Sequence, residues 1–263
     1  MYTYSQEHIN YLKKERKLRI LTHFTQIILI IILFSIWEIL AKTNLINPFL
    51  YSSPSKIMNT IINLFRENTL FNHIGITLYE VLISFLISTF IGIIIATILW
   101  WNKFLAKVFE PYITIINSLP KVALGPLIII WFGASIKSII IMSLLISIFI
   151  TIINLYQGFI LTNENYITLL KSFKAGKYDI FLKVILPSNK ENILSTLKIN
   201  MSMNFIGVIM GELLVSKKGL GYLIMYGSQV FNINLVITAI IILGLLSFIF
   251  YYLITYLEKI LKK

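Results

Sequence analysis

Few side chains in this sequence could do covalent chemistry. The three histidines, His8, His23 and His73, are scattered, Asp179 is the only aspartate, and there is no cysteine. Thiol nucleophiles, disulfides and thiolate metal sites are thereby excluded, and no spacing fits a hydrolytic triad, a carboxylate pair or a metal cage. No GxxxxGK[ST] phosphate loop occurs, so no nucleotide, metal or other cofactor is expected to be held by this chain. The informative ionisable residues stand instead inside apolar runs: Glu38, Lys121 and Glu212. Charges at such depth are costly and face a bundle interior, a water-filled cavity or the headgroups. The expectation for Glu38 is an outer-headgroup contact, and for Glu212 either that or a place beside an internal path.

The elements that must carry these residues are membrane spans. Of 263 residues, 57% are hydrophobic, against about 45–50% in soluble domains. A bilayer core of about 30 Å needs roughly 20 apolar residues of helix. Six stretches reach that length, at about 21–41, 77–101, 104–132, 138–161, 192–215 and 235–257. The first is too long for a secretory signal and lacks a small-x-small cleavage site, so it reads as a retained anchor. An all-α polytopic membrane protein with about six transmembrane helices follows.

Charge orients the spans. With both termini cytoplasmic, the inner segments hold Lys13, Lys14, Arg16, Lys17, Arg19, Lys103, Lys107, Lys171, Lys174, Lys177, Lys183, Lys190, Lys259, Lys262 and Lys263. The outer segments keep only Lys42, Lys56, Arg66, Lys137, Lys217 and Lys218. This is the positive-inside pattern, and it accounts for the net charge of +12 without a nucleic-acid partner.

The third span is interrupted by Pro111, Pro120 and Pro126. Proline removes a backbone donor and clashes with the preceding turn, so a kinked or broken helix is expected. Broken backbone at membrane depth is tolerated where it faces protein or a cavity. Asn117, Ser118, Pro120 and Lys121 are therefore candidates for lining a translocation path, with Glu212 added from the fifth span. A simple kink in a packed helix is the other reading.

Between the fourth and fifth spans lies the basic passage LLKSFKAGKYDIFLKVILP, residues 169–187. Leu169, Leu170, Phe173, Ile180, Phe181 and Val184 fall within about a third of a helical circle. Gly176 weakens the middle and Pro187 stops the end. The expectation is a short amphipathic helix, a bend near Gly176, and a second helical piece ending at Pro187. Periodicity leaves open whether it rests on headgroups or docks a partner.

This passage, ending in Val184-Ile185-Leu186-Pro187, resembles the cytoplasmic signature of bacterial ABC importer permeases. Three further blocks, at 37–57, 110–133 and 211–224, resemble in order and spacing the permeases for nitrate, sulfonate and taurine. In that family the signature reads roughly Glu-Ala-Ala, three residues, Gly, nine or so residues, then an apolar residue and Leu-Pro. Here Thr168, Leu169 and Leu170 stand at Glu-Ala-Ala and Lys174 at the glycine, while Ala175 and Phe181 match.

The resemblance implies a type I importer permease in the bacterial cytoplasmic (inner) membrane. Its implied docking helix, at about 166–182, comprises Thr168, Leu169, Leu170, Lys171, Phe173, Lys174, Ala175, Gly176 and Phe181, with Pro187 closing the motif. The implied partners are an ABC ATPase dimer, which binds the ATP and Mg, an external solute-binding protein, and a second permease copy. A stand-alone secondary transporter or channel is the alternative. The expected divisions are a basic segment 1–20, a first span and outer loop 21–76, a core 77–258 and a basic tail 259–263.

Overall fold

The structure, a computed structural model, describes residues 6–261. Residues 1–5 of the basic segment, Lys262 and Lys263 of the tail, and the His8 side chain lie outside the described residues. Among the described residues there is no strand. The chain divides into two compact units, residues 1–63 and 64–263.

In the first unit, α1 (Gln6–Lys42) runs without a break across residue 20. Its polar first half consists of helix-forming Lys, Arg and Glu, with Arg19 paired to Glu15 at 3.2 Å. A short α2 (Pro48–Tyr51) is capped by Asn47, whose side chain accepts from the Phe49 amide. At the start of α3 (Pro54–Arg66), the Ser55 amide donates to Glu38 at 3.0 Å. Glu38 also pairs with Lys42 at 3.1 Å. Its carboxylate therefore caps α3 rather than reaching for headgroups.

The second unit contains α4 (Leu70–Trp101), α5 (Lys103–Ser118), a 3₁₀ turn (Lys121–Leu124), α6 (Gly125–Phe132) and α7 (Ile136–Ile160). The loop helices α8 (Glu164–Ser172), α9 (Lys177–Ile180) and α10 (Leu186–Ser188) follow, then α11 (Lys190–Val215), α12 (Leu220–Gln229) and α13 (Ile233–Leu261). Five helices are long and apolar enough to cross a membrane, and the α5–α6 pair qualifies as a sixth crossing bent by 83°.

Packing shows that this bent pair does carry the chain back. Val81 packs with Ile139, and Ala96 with Leu155, so α4 and α7 run parallel. The chain leaves α4 at one end and enters α7 at the other, and only α5–α6 lies between. Helix α11 runs antiparallel to both, with Asn200 against Ser88 and Gly211 against Ile139. A Cβ at Gly207 or Gly211 would strike the α7 backbone, so these glycines set the close approach. The end of the unit formed by 161–189, the α4–α5 junction and the C-terminus of α13 carries Lys103, Lys107, Lys171, Lys174, Lys177, Lys183, Lys190 and Lys259.

Between α4, α7 and α11 lies a polar seam. Asn204 donates to the Asn200 side chain at 2.8 Å and accepts from Ser143 at 2.8 Å and Ser147 at 3.2 Å. Ser88 donates to Asn200, which donates to Thr89. All of these except Thr89 are buried, and where neither water nor lipid can serve them such groups join helices to one another.

Candidate functional site

The basic loop begins at α8, whose first turn is capped by Asn163 accepting from the Asn165 amide. It ends in a Schellman turn: the Ala175 amide donates to Leu170 O and the Lys174 amide to Lys171 O. The residue that closes this turn is Lys174, at φ +57. Such a backbone favours glycine, because a Cβ there costs about 1 kcal/mol. The family glycine expected at this position therefore has a conformational reason, and Lys174 carries the strain. The break between the two helical pieces covers 173–176, near Gly176 as expected, but its left-handed residue is Lys174, whereas Gly176 has a φ of −72 and a ψ of 167 that suit any residue.

The second helical piece does not end at Pro187. It passes from α9 through a π turn, Phe181–Ile185, into α10. Proline leaves the Lys183 carbonyl without its usual donor, and the wider turn absorbs the ring by pairing Leu186 N with Phe181 O. The chain turns at Asn189, which donates to Thr162 at 2.8 Å and to Ile185 O at 2.9 Å.

Phe181 anchors the loop to the spans. Its ring lies 5.0 Å from Trp100 on α4 and 5.7 Å from Phe159 on α7. Trp100 faces this cluster. Lys177 donates to the Trp101 carbonyl. Leu170, Ala175 and Ile180 complete the packed side. The opposite side is open, with Leu169 and Phe173 exposed, alongside Thr168, Lys171 and Lys174. A cavity of about 310 Å³ lies between the loop and the α4–α5 junction, lined by Trp100, Lys103, Thr168, Lys171 and Lys177 among others.

In the third crossing the helix passes through Pro111 and breaks only at Leu119–Pro120. Pro126 sits in the first turn of α6, where a missing amide costs nothing. The half-buried Lys121 ammonium reaches back to the end of α5, donating to Asn117 O at 2.7 Å and Asn117 Oδ1 at 3.0 Å, and lies 5.9 Å from the Phe149 ring. Its partners are thus a helix terminus and an aromatic face, not a carboxylate. Ser118 turns its hydroxyl onto Ile115 O.

Glu212 is far from that break in role. It is 1% exposed, accepts from Thr77 at 2.6 Å, and accepts from the Gly221 and Tyr222 amides at the start of α12. It caps a helix from another element, in place of the path-lining or headgroup contact expected. Gly219, at φ +108, and Gly221 leave room for this carboxyl, which a Cβ at either would strike. His73 stacks on Tyr222 and bonds the Gly219 backbone.

Comparison with known proteins identifies the family. Residues 88–263 match the family described as "Binding-protein-dependent transport system inner membrane component". The chain is 32% identical, over 88% of its length and 92% of the relative, to the formylaminopyrimidine transport permease protein ThiX of Halalkalibacterium halodurans. It is 26% identical to the putative aliphatic sulfonates transport permease protein SsuC of Bacillus subtilis, over 82% of this chain and 78% of that one. In fold it is similar to a chain of the inward-facing MetNI methionine ABC transporter, with a TM-score of 0.64 at 16% identity over 74% of this chain and 95% of that one. The chain belongs to the family of binding-protein-dependent transport system inner membrane components, and it is the membrane-spanning permease subunit of an ABC importer.

Proposed function

We propose that two copies of this chain form the translocation path of a bacterial cytoplasmic-membrane importer, with an ABC ATPase dimer docked on residues 164–180. One observation carries the docking site: α8 and its turn are open on one side and fixed to α4 and α7 through Phe181 on the other. A surface that moves with a partner needs both properties. ATP and Mg²⁺ belong to that partner. When the ATPase closes, its displacement passes from Leu169, Phe173 and Lys174 through Phe181 to the parallel pair α4 and α7, biasing the spans between two conformations.

An external binding protein delivers the solute to the end opposite the loop, and the broken third crossing lines its route with Asn117, Ser118, Pro120 and Lys121. Formylaminopyrimidine and aliphatic sulfonates, the solutes named for two relatives, are the first ligands to test. The sequence has no cysteine, so Leu169→Cys places one reactive group on the proposed face. Crosslinking in native membranes, followed by mass spectrometry, should recover an ATPase through that position. Recovery of lipid or of this chain alone would remove the docking role. Co-purification of the intact complex should also yield an exported binding protein.

A further inference from the structure

The end of the unit opposite the basic loop contains a second carboxyl group that the capping of α12 does not use. Glu80 lies on α4, one turn beyond Thr77, and is 0% exposed. Among the described residues, no N–H or O–H donor reaches either of its carboxyl oxygens. Thr77, one turn before it on α4, bonds Glu212 at 2.6 Å, which brings the Glu212 carboxyl to the side of Glu80. Glu212, by contrast, has its oxygens occupied by Thr77, Gly221 and Tyr222, all donors, as an ionised carboxylate requires.

Among the described residues, no ion pair neutralises either carboxyl. His73 on α4 is held by the Gly219 backbone, and Tyr222 on α12 stacks on it. Lys137 stands in the first turn of α7, and Lys217 and Lys218 follow α11, but no ion pair joins any of the three to Glu80 or Glu212. Lys217, Lys218, Ser135 and Ser216 line, together with Glu80, a cavity of about 380 Å³. A divalent cation would need several oxygen ligands, and two lysines beside the cavity oppose it. Two ionised carboxylates in contact inside a dry bundle repel, whereas a single proton between them turns repulsion into a hydrogen bond.

We infer that Glu80 is a proton-binding site: it carries its proton as a neutral acid and donates it to the Glu212 carboxylate. The shared proton latches α4 to the cap of α12. Removing it places two negative charges together where α12 begins, so the latch holds at acid and neutral pH and weakens as pH rises. This goes beyond the importer reading, and its test uses no transport measurement.

The full-length wild type and Glu80→Gln would be compared in lipid nanodiscs by thermal unfolding across acid to alkaline pH. The amide of Gln donates the same bond and cannot lose a proton. The expected result is a wild-type melting temperature that falls with rising pH and a variant whose profile is flatter. Parallel profiles would overturn the inference. Infrared spectra of the wild type supply a readout that survives a poorly folding variant. They should show the carbonyl stretch of a buried protonated carboxyl at neutral pH, lost at alkaline pH. A wild type without that band at neutral pH would equally overturn it.

Discussion

The two ends of the second unit are built on opposite plans. At the basic end, the loop is fixed by aromatic packing around Phe181 and leaves Leu169, Phe173 and Lys174 open. At the other end, Glu212, Glu80, Thr77 and the start of α12 are buried, and glycines at 219 and 221 make room for a carboxyl. Apolar packing tolerates small shifts, whereas a carboxylate bonded to three donors does not. The difference teaches where motion can enter: at the loop, whose packed side passes it to α4 and α7, with the α12 cap acting as a fixed reference.

Substitutions can break or sharpen that contrast. The largest effect should come from Glu212→Leu, which strands the Thr77 hydroxyl and the Gly221 and Tyr222 amides. The cost is about 4 kcal/mol, seen as a lower melting temperature and poor yield from membranes. Phe181→Ala should cost about 3 kcal/mol by leaving a cavity among Trp100, Trp101 and Phe159. Its distinguishing sign would be an assembled complex whose ATPase no longer responds to solute. Lys174→Gly should relieve the left-handed turn and stabilise the loop by about 1 kcal/mol, read by slower hydrogen exchange over 170–176. Unchanged exchange, assembly and coupling would show that the turn is not strained by Lys174. The smallest effect belongs to Glu38→Gln, which weakens the cap of α3 without stranding a buried donor. Faster exchange at the start of α3 with an unchanged melting temperature would set it apart from Glu212.

The spans and the break at Pro120 were legible in the sequence because length, apolarity and proline act locally. Pro111 misled because one proline inside a helix can be absorbed, and only at 119–120 does the backbone leave helical angles. The loop helices were legible from their apolar residues, but Leu169 and Phe173 of the expected stripe face outward, and the left-handed turn was hidden by a lysine where glycine would have announced it. The capping roles of Glu38 and Glu212 depend on helices that follow several residues later, so no local pattern shows them. The seam of Asn200, Asn204, Ser143 and Ser147 was missed although a signal existed: polar residues four apart inside apolar spans fall on one helix face.

The break between α5 and α6 divides the third crossing into two helices that meet at 83°. Gly125 at the start of α6 is pressed against Leu214 and Met142, while Lys121 ties the break to the end of α5 and lies over the Phe149 ring of α7. Both halves rest on α7, α5 through Ala106 beside Ile152 and α6 through Gly125 beside Met142, so the backbone at Leu119 and Pro120 is the joint between two anchored pieces. A single crossing is thus braced twice against one neighbour, once on each side of its elbow.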